Sequence, residues 1–376
     1  MTYDWLIVGA GFTGATLAER LAARGQKVLV IDRRAHIAGN AYDETDANGL
    51  LVHRYGPHIF HTNSDKVWDY LSRFTEWRPY EHRVLGSIDG QLAPIPFNLN
   101  TLEKLFPAEQ AARLGQALVA RFGMDVKVPI LKLRETDDAE LRALGDYIYE
   151  KVFLHYTEKQ WGMRPEELDP GVTARVPVFV GRDDRYFHDR YQAMPKDGYT
   201  AMFERMLAHE NIRVELETDF ASLSADTAKR IVFTGPIDEF FNYEAGELPY
   251  RSLRFDFVTK EVERFQAVGT VNYPNEFDYT RITEMKHLTG QGASVTSLVY
   301  EYPEVYRRGL NSPYYPIPCG DTRVLLQPYL DRAEALAGKV WFAGRLGDYQ
   351  YYNMDQACGR ALSLFEKELM PILTSQ

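Results

Sequence analysis

Cysteine is nearly absent: two residues in 376, Cys319 and Cys358, neither in a CxxC pair nor at ligand spacing from a histidine. That argues against a disulfide framework or a zinc site and leaves two buried thiols as the expectation. No run of about 18 apolar residues occurs, so no membrane-spanning helix is expected. No basic leader precedes the strand-like run from Tyr3, so a signal peptide is not expected either, and the reading is a cytoplasmic protein. Positive charge is lacking too. The formal net charge is −10, whereas nucleic acid or an anionic membrane needs a broad basic field. A small anionic substrate stays open, because one or two arginines focused in a cleft suffice. No Gly/Ser or Pro-rich linker, internal repeat or low-complexity tract interrupts the chain.

What is present is an ordinary globular balance, 45% hydrophobic and 26% charged, with 13% aromatic residues and 24 tyrosines. Tyrosine offers a ring to stack and a hydroxyl to donate, which suits nucleotide or sugar ligands. The apolar run Tyr3 to Val8 leads into Gly9-Ala10-Gly11-Phe12-Thr13-Gly14. An alanine- and leucine-rich helix through Arg24 follows, capped by Gly25, and then a second strand, Lys27 to Ile31, ends on Asp32. Gly9 permits the tight turn, Gly11 lets a pyrophosphate approach the backbone, and Gly14 lets the helix pack close to the sheet. The phosphates would lie on the helix N-terminus, and Asp32, about 20 residues on, would accept from the adenosine ribose. An acid there disfavours NADP.

NAD and FAD folds share this opening. Near the other end Lys339 to Ala343 reads as another strand, followed by Gly344-Arg345-Leu346-Gly347-Asp348 and a helix through Leu369. FAD proteins commonly return to the cofactor with such a strand, its amides and the acid reaching the ribityl and pyrophosphate region, so FAD is favoured. Between the ends, Leu102 to Arg121 and Asp138 to Gln160 read as helices, the second with Leu141, Leu144, Ile148 and Val152 at helical spacing. Segments 78–97, 175–190 and 251–302 carry the short β-branched and aromatic runs of an antiparallel sheet. The fold class is therefore α/β: a Rossmann-like FAD-binding domain with an inserted helical domain and an inserted antiparallel sheet domain.

The stretch from Tyr55 to Thr62, YGPHIFHT, after HIAGNAYD at His36 to Asp43, resembles the amino-terminal half of UDP-galactopyranose mutases. Further matches follow in order: YTEKQWG at Tyr156, RVPV at Arg175, DRYF at Asp184, TRITE at Thr280, PYYPI at Pro313 and FAGRLGDYQYYNMD at Phe342. The resemblance covers essentially the whole chain. It implies a redox-neutral interconversion of UDP-galactopyranose and UDP-galactofuranose on reduced FAD, with flavin N5 bonding the anomeric carbon, in a homodimer serving cell-surface polysaccharide. The domains would be 1–77, 190–248 and 318–376 for FAD, 98–162 helical, and 78–97, 163–189 and 249–317 sheet.

The resemblance also assigns residues. Arg175 and Arg281 match the two diphosphate-clamping arginines, whose forks suit phosphate oxygens, and the turn residues around Arg175 would flank a lid. Phe153, Tyr156, Thr157 and Trp161 resemble the uracil-stacking wall. Tyr186, Tyr315 and Tyr351 resemble the hydroxyl donors to the diphosphate, with Tyr314 competing with Tyr315. Asn272 looks like a ligand-side amide, and Asn353 stands where some relatives carry aspartate. His61 and the Gly56-Pro57-His58 backbone are expected beside the isoalloxazine, with no metal between the two histidines. The remaining cofactor set is Gly39, Asn40, Arg33, Ile59, Gly344, Arg345, Gly347, Tyr352 and Met354, besides the opening motif. Ala38 stands where relatives commonly have glycine and fits if its φ is negative. Two other readings stay open: a flavin amine oxidase or desaturase, and a non-catalytic FAD or UDP-sugar binding protein.

Overall fold

The computed structural model describes residues 3–169, 177–317 and 320–374. The apolar runs at the start of the chain do what their composition predicts. Tyr3–Val8 lies in the middle of a five-stranded parallel sheet, flanked by Val28–Ile31 and then Ile212–Glu215 on one side, and by Ala228–Phe233 and then Val340–Phe342 on the other. Both faces are covered, which is why these strands read as unbroken hydrophobic runs. Trp5, Ile7, Val28 and Val30 face the main core, and Leu6, Leu29 and Ile31 pack on Phe220 and Leu223 behind.

A seven-stranded sheet runs, in order, Tyr315–Pro316, Tyr250–Lys260, Thr296–Val305, Arg281–Glu284, Thr270–Asn272, Val84–Ile88 and Gln91–Ile95. It is antiparallel except where Thr270–Asn272 pairs parallel with Val84–Ile88. Its edge hairpin shares a core with the helical layer, Ile88 and Ile95 packing with Leu102, Leu114, Leu141 and Ile148. One expected sheet segment lies elsewhere: Val178–Val180 pairs with Val126–Val128, beside the helices.

The two long helices are each interrupted. The first is split into Leu99–Leu105 and Ala108–Phe122. Pro107 lacks an N–H and pushes Phe106 into an extended conformation at φ −114°, so the chain breaks there. The second starts on Asp138, whose carboxylate accepts the amides of Glu140 and Leu141 at 2.9 and 3.0 Å. It runs as α-helix over Ala139–Ile148, as π-helix over Tyr149–Leu154 and again as α-helix over His155–Trp161. Tyr149 and Phe153 pack in the same core as Leu141, Leu144 and Ile148, while Tyr156, beyond the π turns, is half-buried. Among the described residues no helix is long and apolar enough to cross a membrane.

Candidate active site

The glycine loop is built around contacts that a side chain would destroy. Gly9 has φ +106°, and a Cβ there would stand 2.1 Å from Thr234 Oγ1. A Cβ on Gly14 would stand 1.9 Å from Gly9 O, so the helix Phe12–Ala22 sits directly on the loop. Gly39, at φ +55°, comes within 3.0 Å of Gly11 Cα by its own ideal Cβ, closing the loop from the other side. The Asp32 carboxylate pins the turn by accepting from Ala10 N–H at 2.9 Å and Arg34 N–H at 3.0 Å. A carboxylate has about four lone-pair sites, so capacity for ribose hydroxyls remains. Ala38 departs from its expected geometry. Its φ is +69°, the left-handed region, and its N–H donates to Ala10 O at 2.9 Å.

These elements surround a cavity of about 750 Å3 at the carboxyl ends of the parallel strands, where open α/β sheets bind their ligands. Gly9, Gly11, Phe12, Thr13 and Gly14 line its helix end, followed by Asp32, Arg33, Gly39 and Asn40. His58, Gly344, Arg345, Tyr352, Asn353 and Met354 line the rest of the expected set. Ile59 instead packs partly buried against the main core. Gly347 also lies outside; a Cβ there would stand 2.9 Å from Phe233 O, so its smallness serves helix-on-strand packing. Asp348 does not reach the cavity either. It turns back to accept Gly344 N–H at 2.9 Å and pairs with Arg360 at 3.1 Å, and burial raises its pKa despite that arginine. Segments 218–221 and 234–236 line the cavity too. Thr234-Gly235-Pro236 carried a readable signal, since small turn residues follow a parallel strand there.

Next to this cavity a second cluster rises from the seven-stranded sheet. Asn272, Arg281 and Glu301 are cross-strand partners in one row. Arg281 Nη2 donates to Glu301 Oε1 at 2.7 Å, and Glu301 is only 2% exposed. Burial opposes the charge on Arg281, but Glu301 and the phenols of Tyr156, Tyr315 and Tyr186 outweigh it and hold the guanidinium protonated. Arg281 Nε and Asn272 Oδ1 are buried polar atoms with no partner among the described residues. Glu301 was missed from sequence, although an acid alternating with apolar residues along a strand is the pattern that could have flagged it.

Aromatic side chains wall this cluster. Trp161 lies 5.5 Å from Tyr351 and 6.0 Å from Tyr315, and these two tyrosines lie 5.1 Å apart. The two neighbouring tyrosines are placed differently: Tyr315 lies near Tyr351, Glu301 and Arg281, while Tyr314 lines the large cavity beside Tyr55. Arg345 joins the two regions, lining the cavity while its guanidinium lies 5.0 Å from the Tyr315 ring and 5.6 Å from Tyr351. Thr157 is buried on the helix of Tyr156. Phe153 packs in the helical core, against which Tyr186 also rests. Asn353 caps the helix Met354–Leu364 in a reciprocal pair with Gln356. Arg175 lies outside the described residues.

The two histidines expected beside the flavin separate. His58 lines the cavity, and burial first, then His53, lowers its pKa to about 3. His61 does not line it. His61 Nδ1 is 2.8 Å from Asp189 Oδ2, and its ring stacks on Phe187 at 3.6 Å.

A parallel sheet with a glycine-tight phosphate loop, a helix N-terminus and an acid at the second strand end defines a Rossmann-type dinucleotide-binding enzyme. Residues 7–74 match the model of an NAD(P)-binding Rossmann-like domain, and residues 151–351 match that of the UDP-galactopyranose mutases. The chain is 38% identical over 98% of its length to a Klebsiella pneumoniae protein described as a probable UDP-galactopyranose mutase, covering 97% of it. It is 34% identical to the UDP-galactopyranose mutase of Mycoplasma pneumoniae, covering 98% and 96% of the two chains. It is equally 34% identical to the dTDP-fucopyranose mutase of Escherichia coli, covering 95% and 96%. A crystal structure of a reduced UDP-galactopyranose mutase superposes with a TM-score of 0.73 over 98% of this chain and 96% of that one, at 16% identity. The chain belongs to the UDP-galactopyranose mutase family. It is an isomerase-class protein whose fold fits a flavin.

Proposed function

We propose that this protein interconverts UDP-galactopyranose and UDP-galactofuranose on reduced FAD, with no net oxidation. The observation that carries the reading is the half-buried Arg281, paired with the buried Glu301, ringed by Tyr156, Tyr186 and Tyr315, and adjoining the dinucleotide cavity through Arg345. Gly9, Gly11 and Gly39 form a tight backbone turn that side chains at Gly9 or Gly39 would disrupt, and it lines the cavity where a pyrophosphate would lie. Reduced flavin supplies the nucleophile for the sugar in such chemistry.

The chain's own residues then have three tasks. Arg281 Nε–H, unpaired and buried, donates to the diphosphate, and its attraction grows as negative charge collects on the departing UDP. The hydroxyls of Tyr315, Tyr351 and Tyr186 add donors around the same oxygens, and Arg175 is assigned the second clamp from its sequence motif. Tyr156 and Trp161, with Phe153 and Thr157 behind, offer apolar faces to the uracil. Asn272 Oδ1 accepts from a sugar hydroxyl, and Asn353 lies at the flavin side of that sugar. A cytoplasmic homodimer rests on the resemblance alone.

A second reading has its own support: the Escherichia coli relative named for dTDP-fucopyranose is as similar as the Mycoplasma mutase. One experiment addresses both. The purified protein is assayed with UDP-galactofuranose and with dTDP-fucofuranose, before and after dithionite reduction, with chromatography of the products. Conversion of the UDP-sugar only after reduction supports the proposal; preferential turnover of the dTDP-sugar replaces the substrate. Peroxide release from either would indicate an oxidase. Arg281→Ala should lower kcat by about 10²–10³-fold with FAD retained, as for loss of one transition-state charge contact.

A further inference from the structure

We propose that His53 and Tyr199 form a brace behind the cavity that fixes the main chain of His58, making His53 a positioning residue for the flavin. The His58 N–H donates to His53 Nδ1 at 3.0 Å, and the Tyr199 hydroxyl donates to His58 O at 3.1 Å. Both polar groups of one residue's backbone are thus held from the same side. His53 and Tyr199 are each 0% exposed, and their rings meet edge to face at 5.6 Å and 74°.

His58 is the residue whose orientation matters here. It lies outside any helix or strand, in the stretch between the strands Leu51–His53 and Phe60–Thr62, and it lines the dinucleotide cavity. The front of that stretch is fixed as well. Gly56 sits at φ +83°, with Phe255 Cε1 only 2.8 Å from the position of a Cβ, and Gly56 O contacts His58 Nδ1 at 2.9 Å. Tyr199 is anchored in turn, because its N–H donates to the buried Asp43 carboxylate at 2.6 Å. The peptide planes on either side of His58 are therefore clamped between the sheet in front and the brace behind. Their dipoles present a fixed field to whatever occupies the cavity.

The hydrogen bond also dictates a tautomer. Nδ1 accepts, so in the neutral ring the proton sits on Nε2. Burial favours that neutral form, lowering the His53 pKa to about 4. Nε2 has no partner among the described residues, and His53 and Tyr199 both line a second cavity of about 250 Å3. An apolar side chain would fill this position and remove the unpaired Nε2–H, but it would leave the His58 N–H without its acceptor. What the imidazole adds is the one acceptor that His58 uses.

The brace rests on the flavin reading only for its consequence, so its test begins with a measurement independent of catalysis. Amide exchange at His58 is compared in the full-length wild type, His53→Phe and His53→Asn, each with flavin bound and stripped. Asn keeps an acceptor near the place of Nδ1; Phe fills the space without one. Exchange at His58 should accelerate at least tenfold in His53→Phe and stay within about threefold of wild type in His53→Asn. The flavin reduction potential should shift, and kcat should fall with KM unchanged, in the Phe variant alone. Should His53→Phe not fold, Tyr199→Phe removes a single oxygen and must also accelerate exchange across residues 56–60. Unchanged His58 exchange in the Phe variant, or equal loss in the Asn variant, overturns the brace. Exchange and potential that respond in a protein converting no UDP-sugar would leave the brace standing and remove the mutase reading instead.

Discussion

Glu301 is the residue whose replacement separates ligand binding from stability most sharply. It is buried, and its carboxylate neutralises Arg281 across 2.7 Å on the neighbouring strand. Two unit charges about 4 Å apart attract by about 4 kcal/mol at an effective dielectric of 20, a gain that desolvation partly offsets. Glu301→Gln keeps the shape and an acceptor but leaves the guanidinium without its counter-charge, so the ligand-free protein should lose about 2–3 kcal/mol. A bound diphosphate restores that charge balance. UDP should therefore stabilise the variant more than the wild type and bind it at least tenfold tighter, since 1.4 kcal/mol is a factor of ten. Turnover should fall all the same, because a clamp tightened on the ground state gives nothing extra to the transition state. Calorimetric UDP titration and thermal unfolding with and without UDP read all of this. Equal destabilisation in both conditions, with unchanged UDP affinity, would refute the assignment of Arg281 to the diphosphate.

Gly14→Ala would place a methyl 1.9 Å from Gly9 O, and the expected result is at least a hundredfold loss of flavin affinity, read from the visible spectrum after gel filtration. Acid should destabilise the protein before its exposed carboxylates are protonated. Burial lowers the pKa of His53 to about 4 and those of His58 and His82 to about 3. Because the folded values are depressed, their contribution is complete above about pH 6.5 and is lost as the pH falls toward the folded values. Between pH 7 and 5 each histidine removes about 2 kcal/mol. Asp43, Asp238 and Asp348, whose pKa values burial raises, offset part of this. Urea unfolding at the two pH values should show a net loss of at least about 2 kcal/mol, and no loss would mean that these imidazoles are hydrated.

Local chemistry made part of the molecule legible. The opening strand, loop and helix could be read because each glycine answers a local demand, a positive φ at Gly9 or a close approach at Gly14. The break at Pro107 was legible in principle, since proline restricts the residue before it. Other features depend on neighbours distant in sequence. Ala38 takes a left-handed conformation because its N–H bonds Ala10 O across the loop, and nothing about an alanine announces that. The π turns at Tyr149–Leu154 are a register adjustment made by packing. Asp348 turns away from the cavity to accept Gly344 N–H and to pair with Arg360, one helix further on.

The residues proposed for the substrate side show why sequence distance hides a site. Asn272, Arg281 and Glu301 lie on three successive strands and meet only because the pairing aligns Asn272 with Arg281 and Arg281 with Glu301. Side chains alternate faces along a strand, so a slip of one residue in either pairing would send one of the three to the opposite side of the sheet. The same row continues to Phe255, which meets Glu301 across the next pairing and backs onto Gly56. One sheet register therefore sets the guanidinium, its counter-charge, an amide acceptor and the front of the His58 loop together. That makes the apolar face which holds the register, rather than any single polar contact, the element on which the geometry between the Arg281 cluster and the dinucleotide cavity depends.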